Sequence, residues 1–285
     1  MPTTDVSEKK LESLIVEYLV EQAEYQQGRS EDFDKDHAID LPKMLSFLEA
    51  TQPKVLTGLA LNIEGPKRTQ FLHRLQGEIA KRGVIDVLRN GVKHGAVSLE
   101  MYFGMPTPGN EKAAALHARN VFSVTRQLRY SKDETQLSLD LCVFVNGLPI
   151  MTFELKNRLT KQTVDDAMQQ YRRDRDPKEL LFQFGRCMVH LAVDDQEVRM
   201  CTHLLGVESW FLPFNKGWND GAGNPPNPSG IKTDYLWKEV LSTVVIIQSE
   251  RHFSPLRTTQ GYAVRVETHK FILDPRKCPM LWHIL

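Results

Sequence analysis

Between Leu137 and Lys156 the sequence places three ionisable side chains where they can meet. Leu139, Leu141, Val143 and Val145 alternate with Ser138, Asp140, Cys142 and Phe144, a period-two pattern that predicts a strand with Asp140 on its more polar face. In the next run Met151, Phe153 and Leu155 alternate with Thr152, Glu154 and Lys156, so an extended chain points Glu154 and Lys156 the same way. Two carboxylates on neighbouring strands make a hard oxygen site suited to Mg²⁺, whose other positions are filled by water and substrate phosphate. Such a metal activates water and stabilises a pentacovalent phosphate, and a lysine beside it supplies a cation for the attacking water or the charge developing on phosphorus. That is the chemistry of phosphodiester hydrolysis. Glu-x-Lys alone also fits a solvated strand edge or a surface ion pair, so the context has to carry the reading.

The turn between the two runs sets a condition. Asn146-Gly147 invites a two-residue type I′ turn, but that register pairs position 140 with 153 and turns Asp140 to the wrong face. A three-residue loop ending at Gly147, or a bulge in either strand, shifts the pairing by one and restores the common face. The sequence therefore predicts an irregularity here.

The elements that must position these residues can be read along the chain. Leu11, Leu14, Ile15, Tyr18 and Leu19 recur at helical spacing, predicting an amphipathic helix from Ser7 to Gln27 with Ser7 as N-cap and Gly28 as the stop. Helices near Lys43 to Ala50 and Lys67 to Arg82 follow, the latter closed by Gly83. After Asn120 the character changes: Val121 to Tyr130, Gln136 to Val145 and Leu148 to Lys156 read as strands. A helix from Thr163 to Arg173 comes next, then strand-like runs Arg186 to Val193 and Val198 to Leu204. Pro213 to Lys232, rich in glycine and proline, predicts a long surface loop or hinge, with a helix from Thr233 to Gln248 behind it.

Composition bounds the class. Lysine plus arginine and aspartate plus glutamate each count 36 in 285 residues, so any nucleic-acid contact must come from a local patch. Lys156, Arg158, Lys161, Arg172, Arg173 and Arg175 are candidates to line one edge of the site and meet phosphates, or to form an ordinary solvated face. The cysteines, at 142, 187, 201 and 278, form no C-x-x-C pair, which argues against a zinc ribbon or disulfide scaffold and fits a reducing cytoplasm. No export signal and no membrane span are read from the sequence.

Several patterns are set aside. Asp32-Phe33-Asp34-Lys35-Asp36 imitates a calcium loop but continues with His37 and Lys43 where glycine and glutamate are needed, so a solvated acidic loop is expected. The histidines lack ligand spacing, and His190, in an apolar run, reads as a packed core residue. Trp210, Phe211 and Phe214 suit either a base-stacking platform or a core contact. Gly65-Pro66-Lys67-Arg68-Thr69 lacks the spacing of a phosphate-binding P-loop, so no ATP site of that kind is expected.

Taken together, Leu139-Asp140 and Phe153-Glu154-Leu155-Lys156-Asn157 resemble the PD-(D/E)xK nuclease motif. With Val145-Asn146-Gly147-Leu148-Pro149, Arg119-Asn120-Val121-Phe122, Tyr171-Arg172 and Leu181-Phe182-Gln183-Phe184-Gly185-Arg186, the chain resembles more closely the restriction (R, HsdR) subunit of type I restriction-modification systems over most of residues 7 to 215. The resemblance implies an α/β, restriction-endonuclease-like mixed sheet flanked by helices, with a helix-rich part at 1–110, a nuclease core at 111–212, and a loop and helical segment at 213–285 leading towards a motor that is not read in this sequence. It implies a type I site-specific deoxyribonuclease in which Asp140 and Glu154 bind Mg²⁺, Lys156 assists catalysis, Glu12 is an auxiliary carboxylate, and Tyr171 matches the tyrosine of the family's Q-x-x-x-Y motif. The glutamine of that motif is replaced by Ala167; Gln169 and Gln170, two and three residues later, would substitute only with a rearranged backbone, Gln170 being the candidate retained. Of the basic residues named above, Arg158, Lys161, Arg172 and Arg173 are the expected DNA contacts. The implied partners are DNA and the methylation and specificity subunits, which choose the target, with ATP serving only the full-length subunit. The rival reading is a non-catalytic DNA-binding or subunit-docking module of the same fold.

Overall fold

A computed structural model describes residues 8–219 and 221–241, and the backbone of three further strands, Leu256–Thr258, Gly261–Val266 and His269–Ile272, which pair as an antiparallel sheet of their own. The expected N-cap Ser7 and the stretch from 242 to 248 of the expected last helix lie outside the described residues.

The main sheet has seven strands in chain order: β1 (Gln26–Gln27), β2 (Phe122–Arg129), β3 (Ser138–Val145), β4 (Leu148–Leu155), β5 (Val189–Val193), β6 (Val198–Cys201) and β7 (Leu212–Pro213). It is mixed, with β1 parallel to β2 and β4 parallel to β5, the other neighbours antiparallel. A parallel pair needs a crossover, and the predicted helix supplies it between β4 and β5. This is the α/β, restriction-endonuclease-like arrangement expected.

Helices cover both faces. On one side lie α1 (Glu8–Glu21), α2 (Leu41–Thr51), α3 (Pro53–Gly58), α4 (Pro66–Arg82) and α5 (Val84–Asn90), whose apolar residues, among them Leu11, Ile15, Leu19, Phe47, Phe71 and Val87, share one core with Leu141, Val143, Phe153 and Leu155 of the sheet. The same core takes in Trp237 of a π-helical turn at Leu236–Val240 and its flanking residues Tyr235 and Leu241, and Tyr25 donates its hydroxyl to the Leu241 carbonyl at 3.0 Å. After the short α6 (Glu111–His117), the crossover helix α7 (Val164–Arg173) covers the opposite face, burying Val164, Ala167 and Tyr171 with Cys142, Phe144 and Ala192. Thr163 and Asp166 form a capping box at its start, satisfying orphan N–H groups of its first turn.

Two expectations are corrected. The first helix ends at Glu21 rather than Gln27: the chain passes through Glu24 in a left-handed conformation (φ 59°), and Gln26–Gln27 joins the sheet edge. Gly28 is therefore no helix stop; it is where backbone passes against β2, and a Cβ there would lie 2.2 Å from Thr125 Oγ1. The predicted alternation in β3 also breaks, because Leu139 packs under α7 while Leu141, Val143 and Val145 pack on the opposite face. The break lies across from Gln127, which has a left-handed φ of 45° inside β2.

Candidate active site

The register of the β3–β4 hairpin decides whether the carboxylates meet. Asn146 and Gly147 form a two-residue turn with φ of 50° and 80°, as a type I′ turn requires. Val145 pairs with Leu148 and Phe144 with Pro149, but Val143 pairs with Met151, so Ile150 is extra and the ladder shifts by one. The predicted irregularity is a bulge in β4, combined with the two-residue turn. Pro149 explains its position: proline has no N–H to give the ladder and sits where a sheet tolerates a bulge. Beyond it Leu141 pairs with Phe153; Asp140 and Glu154 are the next residues on the two strands, close enough for the charge of Asp140 to act on Glu154. The turn is anchored by Asn146, fully buried, which accepts from Val121 N–H at 2.6 Å and donates to Met101 O at 2.8 Å.

Asp140 Oδ2 accepts from the backbone N–H of Leu155 at 2.7 Å. Glu154 is fully buried; its Oε1 accepts from Arg175 Nε at 2.7 Å, while its Oε2 has no hydrogen-bond partner among the described residues. Burial pushes the Glu154 carboxyl up to about 8, with the charge of Arg175 pulling it down and that of Asp140 adding to the rise. Lys156 also acts on it electrostatically, and is 9% exposed with its N–H bonded to Val193 O at 2.8 Å.

Glu12 arrives from α1. Its Oε1 accepts from Arg126 Nε at 2.5 Å and its Oε2 from Gln127 Nε2 at 2.7 Å, and the same Gln127 nitrogen lies 3.4 Å from Asp140 Oδ1. The structure thus brings Glu12, Asp140, Glu154 and Lys156 to one region. Tyr171 stands behind it, fully buried, its hydroxyl 2.8 Å from Thr152 Oγ1, which is 2.7 Å from His190 Nδ1. His190 is the core residue expected, and burial lowers it to about 3. Ala167 fills the buried stripe of α7 below Tyr171, whereas Gln170, half-buried, is turned about 100° from Tyr171. No hydrogen bond joins the Gln170 side chain to the carboxylates among the described residues.

The basic candidates divide. Lys161 and Arg173 are exposed. Arg158 pairs with buried Asp194 at 3.3 Å, and Arg172 donates to Ser209 O at 3.2 and 3.1 Å with its guanidinium over Phe211, so both hold the fold together. Phe211 is buried and Trp210 exposed. In the acidic loop, Asp34 Oδ1 accepts from the N–H groups of Asp36 and His37, a turn closing on itself. Sequence reasoning missed two residues. Gln127 carried no signal, and Arg175, grouped with the surface cations, is buried against Glu154; its position one helical turn past Tyr171 was the available clue.

Among the described residues no group of three or more His, Cys, Asp and Glu side chains gathers to hold a metal. A cation at this site would rest on two carboxylates plus water and phosphate, the pattern Mg²⁺ tolerates. The donor set fits: Glu154 Oε2 is a buried acceptor with no donor among the described residues, near a second carboxylate, Asp140, on the neighbouring strand.

A mixed sheet sandwiched by helices, with Asp on one central strand and Glu-x-Lys on the next, defines a restriction-endonuclease-like protein. The family model described as type I restriction enzyme R protein N terminus matches residues 5–206, and the chain belongs to that family. No curated protein matches the chain at a significant level. No described helix is long and apolar enough to cross a membrane.

Proposed function

We propose that this chain carries a metal-dependent endonuclease centre hydrolysing DNA phosphodiester bonds, with target choice left to the methylation and specificity subunits of a cytoplasmic type I restriction complex. The observation that supports this reading is the proximity of Asp140 on β3 and Glu154 on β4, with Lys156 two residues on and Glu154 Oε2 buried without a hydrogen-bond partner among the described residues. Asp140 and Glu154 would hold Mg²⁺. When bound, that ion supplies Lewis-acid activation of water and charge stabilisation at phosphorus. Lys156 places a fixed cation beside the attacking water or the developing charge. Glu12, joined to Asp140 through Gln127, supplies further negative charge at the site edge. Of the expected DNA contacts, Lys161 and Arg173 are the ones exposed for phosphate contact.

The test is a Mn²⁺ or Mg²⁺ titration of the chain beside Asp140→Ala and Glu154→Ala, followed by DNA cleavage in the assembled complex. The nuclease reading expects binding by the unsubstituted chain only, and cleavage lost in both variants without loss of assembly. Cleavage unaffected by Asp140→Ala would make the chain a docking or DNA-gripping module instead.

A further inference from the structure

Burying a carboxylate is costly unless its charge is matched, and Glu154, with no side-chain exposure, is ion-paired at 2.7 Å with Arg175, itself 4% exposed. The contact is not the two-pronged fork by which arginine usually meets a carboxylate. Only Nε reaches Glu154, at 2.7 Å. The other nitrogens are engaged elsewhere, Nη2 with Ser138 O at 2.8 Å and Nη1 with the Tyr130 hydroxyl at 3.3 Å, and the guanidinium lies over the Tyr130 ring. Tyr130 is in turn fixed edge-on against Phe182, ring centres 4.8 Å apart. The guanidinium is therefore locked by groups outside the cleavage centre, and it occupies one oxygen of Glu154 while the other has no donor among the described residues.

We propose that Arg175 is a positioning residue: it clamps Oε1 of Glu154 so that Oε2, and not the whole carboxylate, is presented beside Asp140 as the metal-binding atom. The inference rests on the nuclease reading, in which Glu154 is a metal ligand. Arg175 touches neither substrate nor metal in this role. It fixes the rotation of the carboxylate and offsets its charge, and Tyr130 and Ser138 fix Arg175. Such outer groups matter because a ligand free to rotate loses affinity for the ion, and their removal weakens metal binding by about ten- to a hundredfold.

The experiment is Mn²⁺ binding to the full 285-residue chain, followed calorimetrically and by the electron paramagnetic signal of free Mn²⁺, with thermal unfolding of each variant alongside. Arg175→Met is expected to weaken binding about tenfold or more. Arg175→Lys keeps the charge but cannot reach three acceptors, so it falls between. Tyr130→Phe removes only the hydroxyl contact, leaves Glu154 paired, and tests the same chain of support if Arg175→Met does not fold; it is expected to weaken binding severalfold with folding retained. Affinity equal to or tighter than that of the unsubstituted chain in folded Arg175→Met, Arg175→Lys and Tyr130→Phe overturns the proposal; tighter binding would make Arg175 a competitor of the metal. If the unsubstituted chain and Glu154→Gln alike bind no Mn²⁺, the nuclease reading itself fails and takes the positioning role with it.

Discussion

Asp140 is tied to the main chain of the neighbouring strand, its Oδ2 accepting the N–H of Leu155 at 2.7 Å. The side chain therefore has two separable duties: it satisfies a buried donor, and it brings a negative charge near Glu154. Asp140→Asn keeps an acceptor for Leu155 and loses the charge, whereas Asp140→Ala loses both. In urea unfolding, Asp140→Ala is expected to be less stable than Asp140→Asn by about 1–3 kcal/mol, the cost of leaving the donor unpaired. Both should lose Mn²⁺ binding. Equal stability of the two variants would mean that the hydrogen bond contributes nothing to the hairpin.

Gly147 offers a second test, because it ties the hairpin to the N-terminal helices. Its φ is 80°, and a Cβ on it would lie 2.4 Å from Asp40 O and 2.7 Å from Met44 N, both backbone atoms of the segment that starts α2. Strain at a left-handed non-glycine residue and displacement of main chain both oppose Gly147→Ala, which should destabilise by about 3 kcal/mol or more. Asp40 N–H also bonds to Gly147 O at 2.8 Å, so that contact should open with it. A melting temperature unchanged by the substitution would show that α2 does not depend on the turn.

These residues also show how far the sequence could be read. The strands, the crossover helix and the shared face of Asp140 and Glu154 were legible because they follow from period-two and helical spacing, and the bulge followed from the conflict between Asn146-Gly147 and the polarity pattern. What was not legible depends on contacts between distant segments. Gln26–Gln27 is too short to show alternation and becomes a strand only by pairing with Ser123 and Val124. The face switch between Leu139 and Leu141 follows from the left-handed Gln127 on the next strand. Arg175 looked like one of several surface cations, and nothing local marks which arginine a buried carboxylate will claim.

Asp40 gives a pH dependence independent of the cleavage centre. It is 1% exposed and caps α2, accepting from Lys43 N–H, yet burial pushes its carboxyl from the ordinary 3.8 up to about 6. A folded-state value above the unfolded one means that the fold binds the proton more tightly. The contribution is then fully present below pH 3.8 and is lost as pH rises through about 6. Asp40→Asn keeps the capping oxygen and does not titrate there. Relative to the unsubstituted chain it should gain stability between pH 4 and 7 and level off above, by at most about 3 kcal/mol. A stability difference constant across that range, measured by urea midpoints, would refute the assignment.

Arg186 poses the opposite problem to Arg175. It is 3% exposed, its Nη1 has no hydrogen-bond partner, and burial lowers its guanidinium to about 10, so it remains charged at neutral pH without a carboxylate beside it among the described residues. An unmatched buried charge costs more than it returns, and an unbranched apolar side chain of similar reach avoids that cost. Arg186→Met should therefore raise stability, by about 1–3 kcal/mol in urea unfolding, with Mn²⁺ binding unchanged. A loss of stability in Arg186→Met would mean instead that the guanidinium makes a favourable contact that outweighs its desolvation.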